Sequence, residues 1–120
     1  IDFSQVIGNL LRNAIDAVFH SEEKTLTVRT TYDERYLLLT VSDTGSGMSD
    51  EVKQKIFTPF FTTKAKAAEA KAGEPVGTGL GLSSSRSILA RYGAEISVES
   101  TLGKGTTFTV RFPLKRKAQL

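Results

Sequence analysis

Three short stretches of this 120-residue chain set chemically useful side chains at suggestive spacings. In "DTGSGM" a carboxylate, Asp43, stands at what reads as a strand end, with Gly45, Gly47 and Met48 behind it. A carboxylate held there accepts hydrogen bonds. The exocyclic amine of adenine donates one, whereas guanine carries an acceptor oxygen at that position and leaves the carboxylate unpaired. A charge-assisted bond is worth roughly 1.5–3 kcal/mol. The same residues also spell an ordinary Asp-Gly turn.

In "NLLRN", Asn9 and Asn13 lie one helical turn apart. Their carbonyl oxygens suit Mg²⁺, a hard cation that takes one or two protein oxygens and completes its octahedron with water and phosphates. Read plainly, they are polar residues at the edge of a half-buried face. In "GTGLGLSSS", Gly77, Gly79 and Gly81 alternate with Thr78, Leu80 and Leu82 ahead of a helix. Exposed peptide N–H groups at a helix N-terminus form an anion site. A hinge after a loop is the alternative. Two stricter phosphate motifs fail. The dinucleotide fingerprint G-x-G-x-x-G is not met, and "GKG" at 103–105 has Gly where a P-loop needs Ser or Thr.

The elements that must position these residues follow from periodicity. "DFSQVIGNLLRNAIDAVFH" is a helix whose apolar face carries Phe3, Val6, Ile7, Leu10, Ala14, Ala17 and Val18. Asn9 and Asn13 flank that face. "TLTVRTT", with Leu26 and Val28 pointing one way, and the more continuous, more central "YLLLTVSD" make a hairpin around "DER". "SDEVKQKIF" starts a short helix capped by Ser49, with Val52 and Ile56 one turn apart. From about Thr62 to Val76 there is no core pattern, as in a functional lid or a disordered loop. "LGLSSSRSILARYG" is a helix ended by Gly93. "AEISVES" and "TTFTVRFP" form a second hairpin. This order predicts an α+β domain over residues 1–120, with one layer of helices on a mostly antiparallel sheet.

Composition narrows the class. The length suits one domain. No apolar run reaches the roughly 18 residues of a membrane span. The absence of cysteine removes disulfides and thiolate metal sites and is compatible with a reducing compartment. The net charge of +3 comes largely from "LKRK" and from Lys64, Lys66 and Lys71. No basic-aromatic stripe accompanies it, so no nucleic-acid partner is expected. The first residue is Ile rather than Met, which suggests a fragment of a longer protein.

In this order and spacing the motifs resemble the catalytic, ATP-binding domain of sensor histidine kinases, within the wider superfamily of gyrase, Hsp90 and mismatch-repair ATPases. "QVIGNLLRNAIDA" looks like that family's N box, "DTGSGM" its G1 box, "IFTPFFTTK" its F box, "GTGLGL" its G2 box and "GKGTTF" its last glycine-threonine element. The cover is essentially the whole chain, and "PFFTTK" looks most like the nitrogen-regulation branch.

The resemblance implies the Bergerat fold, a two-layer α/β sandwich with helices on one face of a mixed, mostly antiparallel sheet and the nucleotide between the layers. It implies ATP with Mg²⁺ held by Asn13. Asn9 would support the phosphates, with Arg12 and Asp16 close by. Ala17 and Met48 would pack near adenine, and Asp43 would take its amine. Thr106 or Thr107 would line the far side of the base. Gly45, Gly47 and the turn from Gly77 to Leu82 would wrap the nucleotide. Phe57, Phe60 and Phe61 would hold a lid of about 58–80, unless they are plain core, the better reading for Phe57. Lys64 would touch phosphate or stay a solvated lysine.

The related hydrolysing ATPases usually carry Glu at the position of Asn9, and an amide is no base at neutral pH. Phosphoryl transfer is therefore expected, with Asn9, Arg12 and Lys64 as its polar machinery. A hydrolysing ATPase and a nucleotide-binding pseudokinase are the alternatives. The acceptor histidine would lie on an upstream dimerisation domain, since His20 is a surface residue at a helix end. A cytoplasmic setting, a response regulator downstream, a homodimeric parent and a monomeric isolated domain complete the expectation. The lid is longer than in common members, and a strand that usually precedes the N box would be missing or lie outside the fragment.

Overall fold

The computed structural model describes residues 3–61 and 81–114. The elements run α1 (Phe3–Ala17), β1 (Leu26–Tyr32), β2 (Tyr36–Asp43), α2 (Asp50–Lys55), α3 (Gly81–Arg91), β3 (Glu95–Thr101) and β4 (Gly105–Pro113). The strands form one sheet in the order β1-β2-β4-β3. All three pairings are antiparallel, so no parallel pair occurs among the described strands. The α+β sandwich is as expected.

Burial on one sheet face drives the assembly. Leu39 and Val41 of β2 and Phe108 and Val110 of β4 turn inward and are buried. Against them pack Val6, Leu10 and Ala14 of α1 and Ile88 and Leu89 of α3. Each of these side chains larger than alanine contributes about 1.5–3 kcal/mol on leaving water. The Phe3 ring seals one end, with ring centroids 4.7 Å from Tyr92 and from Phe112.

Local chemistry fixes the element ends. Helix α1 has no basic residue in its last turn. Lys24 supplies that charge from beyond the helix, its Nζ donating to the carbonyls of Val18 and Phe19 at 3.1 Å and also to that of Ser21. Ser49 caps α2, its Oγ accepting from Val52 N at 3.2 Å. Lys53 pairs with Asp50 at 2.9 Å and donates to the Ser100 carbonyl at 3.1 Å, which fastens α2 to β3. In the β1–β2 turn, Asp33 Oδ1 accepts from the backbone N–H of Arg35 and Tyr36. Those bonds hold its carboxyl below the usual aspartate range.

Several details depart from the one-dimensional reading. Val28, which shares a face with Leu26, is 52% exposed although it pairs with buried Val41. Strand β1 is an edge strand, and the helices cover the sheet over β2 and β4 instead. Ile7 is 38% exposed and lines an apolar groove with Phe3, Leu37 and Phe112. Helix α1 ends at Ala17, short of His20, which stays exposed with its ring 4.8 Å from that of Phe19. Of the expected lid, only the stretch to Phe61 is described. No helix among the described residues is long and apolar enough to cross a membrane.

Leu10 is wholly buried between α1, α3 and the sheet. Leu10→Ala is expected to lower unfolding stability by about 2–5 kcal/mol, read as a fall in the denaturation midpoint.

Candidate functional site

The candidate site is built around Asp43, the last residue of β2, where the end of the sheet and the loop after it meet the end of α1. Asp43 is 8% exposed. Oδ1 accepts from Gly45 N at 2.8 Å, and the backbone N–H of Thr106 donates to the same carboxylate. Thr106 is its register partner on β4. Burial nevertheless raises the carboxyl above the ordinary aspartate value, the two peptide N–H bonds opposing it only in part.

The glycines around Asp43 are places where backbones touch. A Cβ on Gly105 would stand 2.1 Å from the Asp43 carbonyl oxygen, and φ there is +116°. A Cβ on Gly47, at φ +72°, would stand 2.0 Å from the Thr101 oxygen. Gly45 lies under the end of α1, where a Cβ would meet the Ala17 carbonyl oxygen at 2.5 Å. These contacts bring Ala17, Asp43, Gly45, Gly47, Met48 and Thr106 together at one end of the cleft. Thr107 is not among them. It lies on the opposite sheet face, where its hydroxyl is 2.8 Å from that of Ser42. The alternation of a strand sends neighbouring residues to opposite faces, so of the two threonines only Thr106 shares the side of Asp43.

Asn9 lies along α1 toward the other end. Its Nδ2 donates to the Gly81 carbonyl at 3.2 Å and to Ser85 Oγ at 3.1 Å. Both amide protons are thus spent on α3, and what Asn9 presents elsewhere is its carbonyl oxygen. That oxygen suits a cation or a water, not a phosphate oxygen. Asn13 and Asp16 follow on α1, both half-buried, and Arg12 is exposed. Gly81 and Leu82 open α3. Gly77, Thr78, Gly79, Leu80 and Lys64 lie outside the described residues. Phe57 and Phe61 pack against the core, and the Arg86 guanidinium lies 5.2 Å from the Phe57 ring centre. Phe60 is 74% exposed with φ +68°.

The chain belongs to the histidine kinase-, DNA gyrase B- and HSP90-like ATPase family, which it matches over residues 1–116. It is 36% identical to the sensor histidine kinase ZraS of Salmonella typhi, over 97% of this chain and 23% of that protein. It is 40% identical to the C4-dicarboxylate transport sensor protein DctB of Rhizobium meliloti, over 92% of this chain and 16% of that one. It thus spans about a quarter or less of these relatives. Among solved structures, the nucleotide-free catalytic domain of histidine kinase ThkA superposes with a TM-score of 0.73 at 33% identity, covering 92% of this chain and 66% of that one.

Two residues near Asp43 and Asn9 escaped the sequence reading. Ser85, fully buried, receives Asn9; the run of three serines gave no way to choose among them. Ser100 joins Met48 to Thr106. Its signal was present, a polar residue in phase with inward Ile96 and Val98. Gly105 was within the glycine-threonine element "GKGTTF", and the structure supplies its reason, the approach of the Asp43 carbonyl.

The raised carboxyl of Asp43 has a consequence for stability. The folded state holds this proton more tightly than the unfolded one, so the group's contribution is full below the unfolded pKa and is lost as pH rises through the folded one. Ionised Asp43 is therefore a burden near neutrality. Asp43→Asn, which cannot ionise, is expected to melt above the wild type at neutral pH in nucleotide-free melts, with the gap narrowing as pH falls into the ordinary aspartate range.

Proposed function

We propose that this chain is the ATP-binding catalytic domain of a two-component sensor histidine kinase. It binds Mg·ATP and donates the γ-phosphoryl group to a histidine on a separate dimerisation domain. The observation that carries this reading is the buried, N–H-held carboxylate of Asp43 beside Thr106 at one end of a cleft, with Asn9, Asn13 and the start of α3 toward the other. A donor-bearing base edge satisfies the first end. Peptide N–H groups at the start of α3, together with Gly77 to Leu80, receive the phosphates at the second.

The residues fit a nucleotide-borne cation. No cluster of three His, Cys, Asp or Glu able to hold a metal exists among the described residues. The chain instead offers amide oxygens at Asn13 and Asn9, which suits a Mg²⁺ that keeps water and takes phosphate oxygens. When bound, that ion neutralises charge on the β- and γ-phosphates. Asn13 would hold it, and Asn9 fixes the start of α3 against α1. Arg12 and Asp16 lie near them on α1, and Lys64, outside the described residues, would touch phosphate.

In the transfer, a nitrogen of the acceptor imidazole bonds to the γ-phosphorus as the bond to the β–γ bridging oxygen breaks. ADP leaves, and the imidazole proton passes to solvent. Asn9 stands where a hydrolase needs a base, and an amide cannot take the proton of water. His20, exposed beyond the end of α1, is not the acceptor. The acceptor belongs upstream in a homodimeric parent, a response regulator receives the phosphoryl group from it, and the domain itself works as a cytoplasmic monomer. "PFFTTK" favours the nitrogen-regulation branch.

Calorimetric titration is expected to show Mg·ATP binding with Mg·GTP weaker by about tenfold or more. Asp43→Asn should lose most of that preference, and equal affinity of the wild type for both would overturn the assignment. With radiolabelled ATP the chain alone should bind without labelling itself. Label on His20, or steady phosphate release, would defeat the transfer reading.

A further inference from the structure

Ser100 takes no part in the cleft as described so far except as a bridge, yet its hydroxyl has an unusually complete set of partners. Met48 N donates to Ser100 Oγ at 2.8 Å. Ser100 Oγ donates to the Gly105 carbonyl at 3.0 Å. Ser100 Oγ and Thr106 Oγ1 lie 2.8 Å apart, a contact in which either hydroxyl could supply the proton. A serine hydroxyl has one proton and two lone pairs. Met48 has only an N–H to give, and Gly105 has only a carbonyl to receive. The proton of Ser100 is therefore committed to Gly105, and one lone pair to Met48. All three bonds hold at once in a single arrangement, with Thr106 donating into the second lone pair of Ser100.

That arrangement decides what Thr106 can show a ligand. With its own proton turned toward Ser100, Thr106 Oγ1 keeps only lone pairs. Thr106 pairs with Asp43 across the strands, and its N–H holds the Asp43 carboxylate. The cleft end then carries two acceptors, a carboxylate and a hydroxyl oxygen with no proton to offer. We infer that Ser100 is a specificity-determining positioning residue, which makes Thr106 an acceptor and so tunes the site for a purine whose six-position carries an amine, with two protons to give, against one whose six-position carries a carbonyl oxygen. The inference rests on the adenine-binding reading of the cleft and adds a residue to it. Ser100 acts through Thr106 and need not touch the base. The same hydroxyl secures the loop from Asp43 to Met48 against the β3–β4 hairpin, which Gly103 N reinforces by donating to the Ser46 carbonyl at 2.7 Å.

The test is a ratio of affinities. Mg·ATP and Mg·GTP are titrated into the 120-residue chain as wild type, Ser100→Ala, Ser100→Thr and Thr106→Val, with nucleotide-free melts alongside. In Ser100→Ala the Thr106 hydroxyl is released and can donate to a carbonyl oxygen, so the ATP-to-GTP preference should narrow by about tenfold, one hydrogen bond's worth. Ser100→Thr retains the hydroxyl and should restore the preference. Thr106→Val leaves Ser100 its bonds to Met48 and Gly105 and should narrow the preference through weaker ATP binding. It stands in should Ser100→Ala fail to fold. A purely structural serine would weaken both nucleotides equally and leave the ratio unchanged. A wild-type preference kept by Ser100→Ala and Thr106→Val would overturn the role of Ser100 alone. No preference in the wild type would overturn the adenine reading and this role with it.

Discussion

A carboxylate taken out of water must find donors inside the protein, and around Asp43 those donors are peptide N–H groups. Gly45 supplies one from the loop and Thr106 supplies the other from across the sheet. The second exists only because β2 and β4 pair in the register that sets Asp43 opposite Thr106. A slip of one residue would turn one strand over against the other, sending either Asp43 or Thr106 to the outer face and parting the carboxylate from its donor. Core packing and site chemistry thus depend on the same register, since the shift would also expel either Leu39 and Val41 or Phe108 and Val110.

Close backbone approach is the second constraint. Gly105 against the Asp43 carbonyl, Gly47 against Thr101 and Gly45 against Ala17 leave no room for a side chain. These contacts draw the loop after β2 down between the β3–β4 hairpin and the end of α1. The cost is backbone freedom lost at several glycines on folding. What results is a close-packed end of the sheet around Asp43. The raised carboxyl of Asp43 belongs to the same account, since burial there disfavours the charged form.

The other end of the cleft is organised differently. There a side chain, Asn9, ties α1 to the first residue and the buried serine of α3. The amide does structural work that a carboxylate could not, because it donates two hydrogen bonds. The asparagine is thus a clamp between α1 and the start of α3. Phe57 and Phe61 pack on the core beside α2, while Phe60 stands out in solvent.

The α+β order, the helix caps, both hairpins and the short list of polar candidates were legible in one dimension, because periodicity and turn chemistry are local. Asp43, Asn9 and Asn13 were visible as residue types at suggestive spacings. Their partners were not. Nothing local distinguishes Thr106 from Thr107, and the sheet decides between them by which face each occupies. Nothing local exposes Val28, which alternates as a buried strand residue should, because exposure depends on where the helices come to rest. Ser85, Ser100 and Gly105 acquire meaning only from atoms distant in sequence. Residue types and their periods determined which groups were on offer. The pairing of strands and the docking of α1 on α3 decided which of them meet, since a hydrogen bond a few ångströms long is satisfied by position in space and not by position along the chain.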